Sequence, residues 1–270
     1  TWLDFHFTYS GTSRARAIAF HNRILDRVTS VAIVVGFWQR ELLEGEGVRA
    51  SSIVHIPNAV PIDDLQRRAE LGPTRAELGI PRDSLVVTQV ARFQPQKHQM
   101  TTLRTVARLR ERLGDVRLVF VGDGPDQAAV KAEAERLDAD WASFLGFRED
   151  VPGMVRMADL SVLPSSGEGL PMSLIESIAL GTPAVSTDVG DVRWLLETTA
   201  AGVCVTPGND DDFFAACARV LEDPGLRREM AEEGARTVNM FDAPKMVERY
   251  EEVFEAVIDS NPLPHPMAGG

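Results

Sequence analysis

Cysteine is scarce. Cys204 and Cys217 are the only two among 270 residues, both in apolar stretches without metal-ligand spacing. They are read as buried reduced thiols rather than a disulfide or ligand pair, which fits the cytoplasm. No run approaches the roughly 20 apolar residues that span a bilayer, and the first residues lack the basic-then-apolar order of a signal peptide, so a soluble protein is expected. The five histidines (His6, His21, His55, His98 and His265) show no ligand spacing, and no metal site is expected. There is no internal repeat or heptad. Positive charge is also short: the net charge is -12, with 19 Lys/Arg against 32 Asp/Glu beyond residue 75. An acidic body of this kind disfavours sequence-independent binding to nucleic acid or anionic lipid.

Apolar residues at 44% and charged ones at 25% are ordinary globular values. Residues 14–27 read as an amphipathic helix, 28–36 as a buried strand, 39–44 as a short helix and 52–56 as a second strand. Residues 57–81 hold four prolines and read as a crossing linker with a short helix. From Leu85 the rhythm becomes regular. Strands are expected at 85–91, 116–121, 141–146, 159–163, 183–187 and 202–205. Helices lie between them at 99–113, 126–138, near 152–157, 171–180 and near 191–196. Strands alternating with helices specify a doubly wound parallel sheet, an α/β fold. Three helices follow, 211–222, 224–238 and 244–259, and the Pro-rich tail 261–270 has little to bury. The acidic stretch Glu222 to Glu233 reads as a solvated helical face.

The stretch Ser165-Ser-Gly-Glu-Gly-Leu-Pro-Met-Ser-Leu-Ile-Glu176 follows a strand and opens a helix. Pro171 fixes the helix start, so Gly169, Leu170 and their neighbours present unpaired N–H groups, an anion site at the positive end of the helix dipole. Glu168 and Glu176 flank it. Carboxylates repel phosphate, so hydroxyls, which sugars and riboses supply, are their natural partners. The blander alternatives are a capping or solvated acid for Glu168 and a surface helix residue or salt bridge for Glu176. Arg92 and Lys97, beyond the strand 85–91, offer countercharge: Arg92 as a fork, Lys97 as a point charge. Either alone reads as plain surface charge; placed together after one strand of this sheet, they become ligand candidates. Gly122 and Gly124, after the next strand, line the expected cleft. The dinucleotide fingerprint is incomplete because Gln127 replaces its third glycine, and no phosphate-binding Lys-Ser/Thr loop, glycine-framed serine or His-Glu-x-x-His helix occurs.

These residues resemble the C-terminal domain of family-4 retaining glycosyltransferases with the GT-B architecture. The resemblance rests on Arg92 and Lys97, Gly122-Asp-Gly-Pro125, Leu145-Gly-Phe147, Glu168 and Glu176 with seven residues between them, Gly169-Leu-Pro171 and Gly181-Thr-Pro183. It implies that a nucleoside diphosphate sugar, with UDP or GDP as its nucleotide, binds with its diphosphate on Arg92 and Lys97. Glu168 then holds sugar hydroxyls and Glu176 the ribose. Backbone from Arg148 to Val151 meets the base, and Gly169, Leu170 and Pro171 meet sugar or phosphate, Pro171 through its carbonyl alone. Arg92, Lys97 and Glu168 are the expected catalytic group, with no metal and no cofactor beyond the donor. The family often has Gly where this chain has Ala91 and His98.

The resemblance further implies a GT-B fold with a truncated Rossmann-like domain in front. Residues 1–60 would be the end of the acceptor-side domain, 61–81 an interdomain linker, 82–240 the donor domain, 241–260 a helix returning toward the first domain and 261–270 a disordered tail. The implied partners are a nucleotide sugar and a carbohydrate or lipid-linked acceptor, without nucleic acid. Location is cytoplasmic, with the inner membrane face reached through the part of the acceptor domain outside this chain. Two other readings stay open: a phosphorylase or epimerase of the same architecture, and a non-catalytic nucleotide-sugar-binding module. A glycosidase acid–nucleophile pair is rejected, since a neutral glycan needs no anion cradle.

Overall fold

The computed structural model describes residues 30–259 and 261–264. The helix expected over 14–27, the start of the strand expected from residue 28, His6, His21, His265 and most of the expected tail lie outside the described residues. The described chain falls into two units: Asn58–Met246, and residues 30–57 together with the stretch from Val247 on.

In the smaller unit, β1 (Ala32–Val34) and β2 (Ile53–His55) pair in parallel, with Val34 opposite His55. Between them runs α1 (Phe37–Gly45), whose Leu43 packs with Val34, Val48 and Ile53. β1 ends earlier than its apolar run. The amides of Val35 and Gly36 donate to Gln39 Oε1 at 2.9 and 3.1 Å, so capping α1 takes the donors that a longer ladder would use. His55 is fully buried against Val35 O, and burial lowers its pKa to about 4, so the ring is neutral at physiological pH.

The larger unit is built on a six-stranded parallel sheet ordered β5-β4-β3-β6-β7-β8. Its strands are β3 (Leu85–Val90), β4 (Val116–Val121), β5 (Ala142–Phe144), β6 (Leu160–Leu163), β7 (Ala184–Thr187) and β8 (Gly202–Val205). Both faces are covered, which is why these strands read as continuous β-branched runs. The pleat sends alternate side chains to opposite sides. Val87, Leu118 and Phe120 meet Leu103, Leu109, Val130 and Phe213 on one face, while Val86, Val119 and Val121 meet Ile80 and Met154 on the other.

The first set belongs to α3 (Gln99–Leu113), α4 (Gln127–Arg136) and α8 (Asp210–Glu222). Opposite them lie α5 (Val151–Arg156), α6 (Met172–Ala179) and α7 (Val192–Thr199). The expected linker span carries α2 (Ile62–Glu70), whose Ile62 and Leu65 join Leu174, Ile178, Leu195 and Phe241 in one core. Asp223 caps α9 (Pro224–Thr237) by accepting from Leu226 N at 3.0 Å, and Pro224 occupies its first turn. The last helix, α10 (Ala243–Ile258), begins in this unit.

Two consequences locate the functional region. The chain runs outward from β3 to β4 and β5, then returns to β6 on the other side of β3, so strand order reverses between β3 and β6. In an open sheet that reversal opens a crevice at the carboxyl ends of the strands. The turn leaving β3 is in turn fastened from below: Phe93 is 1% exposed, with its ring 5.5 Å from Phe120 and 6.2 Å from Phe144. Phe93→Ala is expected to lower unfolding stability by about 3–5 kcal/mol. The shift of the urea midpoint at constant slope measures this, and a negligible shift would show that the turn is held by other means.

Candidate functional site

The turn after β3 follows the neighbouring strand end closely. Ala91 N donates to Val121 O at 3.0 Å and Phe93 N to Asp123 O at 2.9 Å. This approach requires Gly122: its φ is +131°, and a Cβ there would lie 2.1 Å from Ala91 O. Pro95–Lys97 then form a tight turn, and His98 closes it in the left-handed region at φ 48°, where a glycine is usual. With Phe93 turned inward, Arg92 is exposed, and its guanidinium has no hydrogen-bond or ion-pair partner among the described residues. Lys97 is committed differently. Its Nζ sits 2.5 Å from Glu168 Oε1, with side chains 17% and 8% exposed.

The loop between β6 and α6 lies against this turn, since Ser166 N donates to Gln96 O at 2.9 Å. Pro171 has φ -73° and ψ 121° and occupies the cap position, so the helix begins one residue later than expected. Two carbonyls just before the helix are engaged: Gly169 O accepts from Asp191 N at 2.9 Å and Leu170 O from Asn58 Nδ2 at 2.8 Å. The amides of Gly167, Glu168, Gly169 and Leu170 donate to no acceptor among the described residues. Carbonyls tied down and amides left unused make the donor-rich end of a helix available to an anion.

Glu176 stands on the second turn of α6, half-buried and without a hydrogen-bond partner among the described residues. Burial raises its pKa above the usual glutamate value, opposed by the charge of Arg68 on α2.

A cavity of about 580 Å³ at the ends of β3 and β4 brings five expected residues together: Arg92, Gly122, Gly124, Arg148 and Val151. Arg148 is held by its neighbour Asp150 through contacts of 2.7 and 2.5 Å. Lys97, Glu168, Gly169, Leu170, Pro171 and Glu176 do not line this cavity. They form the adjoining ion pair, loop and helix face.

Two further residues belong to the region: Phe147, part of the Leu145-Gly-Phe147 turn but given no site role from the sequence, and Gly190, which the sequence reading did not single out. Phe147 is 80% exposed on the cavity wall, an unusual position for a large apolar side chain. Gly190, beyond β7, has φ +57°, and a Cβ there would stand 2.3 Å from Glu168 O and 2.4 Å from Gly169 O. Its signal was present in the sequence, a Gly-Asp pair between a strand and the next helix.

Among the described residues, no cluster of three or more His, Cys, Asp or Glu side chains could hold a metal ion. No helix among them is long and apolar enough to cross a membrane.

Residues 73–237 match the family model for glycosyl transferases group 1. The chain belongs to this family. The match corrects the family-4 assignment: group 1 replaces it, because the paired glutamates and Gly-Leu-Pro report a donor-domain geometry and do not by themselves fix a numbered family. Among the chain's relatives, the phosphatidyl-myo-inositol mannosyltransferase of Mycobacterium tuberculosis is 30% identical over 248 residues, 89% of this chain and 62% of the relative. The alpha-D-kanosaminyltransferase of Streptomyces kanamyceticus is 34% identical over 176 residues, 64% of this chain and 45% of the relative. The chain thus spans about half to three fifths of the curated relatives it matches. The crystal structure of Anabaena HepE in complex with UDP superposes with a TM-score of 0.80 at 22% identity, covering 92% of this chain and 69% of HepE. The fold is of the GT-B type, with a doubly wound parallel Rossmann-like sheet and a smaller N-terminal sheet.

The partnerless carboxylate of Glu176 has a measurable signature. Because its folded pKa lies above its unfolded value, its contribution to stability is complete below the unfolded pKa and is lost as pH rises through the folded one. Glu176→Gln is therefore expected to melt higher than the parent at about pH 7, with the difference closing as pH falls below the ordinary glutamate range. Melting curves of both proteins across this range decide it; equal melting at neutral pH would show that the carboxylate is adequately solvated.

Proposed function

We propose that this chain takes part in transferring a hexosyl group from a nucleoside diphosphate sugar to an acceptor hydroxyl on a glycan, a lipid-linked sugar or a small molecule. The observation that carries the reading is the convergence, at the β3–β6 crevice, of an unpartnered Arg92, the Lys97–Glu168 pair and the unused amides before α6. In glycosyl transfer the leaving diphosphate gains charge as the anomeric bond breaks. Arg92, Lys97 and the loop amides are fixed positive potential for that charge, sufficient without a metal ion. Binding a diphosphate would draw Lys97 from Glu168, leaving the carboxylate to accept from sugar hydroxyls, while Glu176 accepts from the ribose. The base would occupy the cavity by Arg148 and Val151, flanked by Phe147.

Residues 82–240 then act as the donor side and residues 1–60 as part of the acceptor side, joined through 61–81. The α configuration named for the Streptomyces kanamyceticus relative supports an α-linked product, and with it retention from an α-linked donor. The unpaired thiols of Cys204 and Cys217 fit a reducing compartment, the cytoplasm or its membrane face.

Titration calorimetry with UDP, GDP, ADP and their sugar conjugates tests the assignment. Arg92→Ala and Lys97→Ala are each expected to weaken the preferred nucleoside diphosphate by about 10- to 150-fold, the scale of charged hydrogen bonds. Glu168→Gln should behave oppositely toward the bare diphosphate, binding it as well as or better than the parent, because Lys97 loses its competitor. The same variant should lose sugar transfer as read by mass spectrometry of products. Unchanged diphosphate affinity in both cation variants would remove the assignment, and an equal loss for diphosphate and sugar donor in Glu168→Gln would remove the division of roles.

A further inference from the structure

We infer that Gln89 and Gln99 are positioning residues for the two cations, each holding the main chain of one of them. Gln89 lies next to the end of β3 and is 1% exposed; Gln99 is the first residue of α3 and is 2% exposed. The side-chain Nε2 of Gln89 donates to Lys97 O at 2.8 Å, and that of Gln99 donates to Arg92 O at 2.9 Å. No other donor reaches either carbonyl among the described residues. The turn carrying both charges is thus pinned at its two ends, at the peptide units of the charged residues themselves.

The chemistry of the pins explains their value. A carbonyl oxygen is the negative end of a dipole, and one left free beside an anion site would oppose the charge that the site collects. Tying Arg92 O and Lys97 O to buried amides removes both from competition and fixes the direction in which each side chain leaves the backbone. Gln89 also pays for this role in a visible way, since its Oε1 is buried without a partner. A residue kept only for packing would be better served by an apolar side chain of the same length, because an unpaired buried acceptor is destabilising. Holding Lys97 accounts for keeping an amide there.

The inference rests on the diphosphate reading above, and double-mutant cycles separate the two. Gln89→Met and Gln99→Met keep length and apolar bulk while removing the donor; Gln89→Leu and Gln99→Leu are a second pair should either Met variant fold poorly. Affinity for UDP and GDP is measured by calorimetry in the parent, Lys97→Ala and Arg92→Ala backgrounds, together with melting temperature. Gln89→Met is expected to weaken the preferred diphosphate about three- to tenfold in the parent and in Arg92→Ala, and to have no effect in Lys97→Ala. Gln99→Met should mirror this, losing its effect only in Arg92→Ala. Melting temperature should move equally in all backgrounds, because folding does not consult the missing side chain. Full additivity in every background, or no loss of affinity in the parent, overturns the inference while leaving the diphosphate site standing. If the parent binds neither nucleotide, or both cation variants bind as the parent does, the functional reading fails and takes the inference with it.

Discussion

The parallel pairing of β3 with β6 is the constraint on which the region depends. It brings two strand ends, separated by more than seventy residues of sequence, side by side, so that the turn after Val90 and the loop after Leu163 leave the sheet at neighbouring positions. The hydrogen bond from Ser166 N to Gln96 O then fastens one loop to the other. Had the chain continued outward from β5 instead of returning, the exposed Arg92 and the amides before α6 would lie on different parts of the sheet. The strand order does the gathering, and the side chains supply only the final ångströms.

Around that crevice the amides of Gly167 to Leu170 are left without a partner among the described residues while four nearby carbonyls are occupied. Gly169 O, Leu170 O, Arg92 O and Lys97 O each have a donor drawn from elsewhere in the fold: Asp191, Asn58, Gln99 and Gln89. Two glycines make the necessary closeness available. A side chain at Gly122 would strike Ala91 O, and one at Gly190 would strike Glu168 O. The electrostatic character of the region is therefore built as much from peptide orientation as from formal charge.

Much of this was legible in the sequence, for identifiable reasons. Strands buried on both faces announce themselves as runs such as Leu85-Val-Val, and helix starts are marked by Pro171 and Pro224, so the alternation and the loops that end each strand could be read directly. What could not be read was commitment between distant side chains. Nothing in the spacing of Lys97 and Glu168 shows that they pair, that Gln39 ends β1 early, or that Arg148 faces its own Asp150. Those facts depend on rotamers and on which backbone group lacks a partner, both tertiary properties. The buried glutamines were invisible for the same reason: in a linear pattern Gln89 interrupts an apolar strand and looks like noise. The numbered family was read too finely, because motifs shared across a fold report the fold first.

If the crevice holds a nucleoside diphosphate sugar as proposed, the Lys97–Glu168 contact also bears on what it would exclude. Inside a cell, small anions such as free phosphate are abundant and would crowd any naked cluster of cations. Here one of the two cations already has a counterion, built into the protein and shielded from solvent. An anion that captures Lys97 strands a carboxylate, at the energetic cost of an unpaired, largely buried charge. Only a molecule carrying negative charge at one end and hydroxyl donors at the other satisfies both members at once. In the proposed reading the pair would work as a coincidence detector, in which neither half of the right ligand is an adequate substitute for the whole.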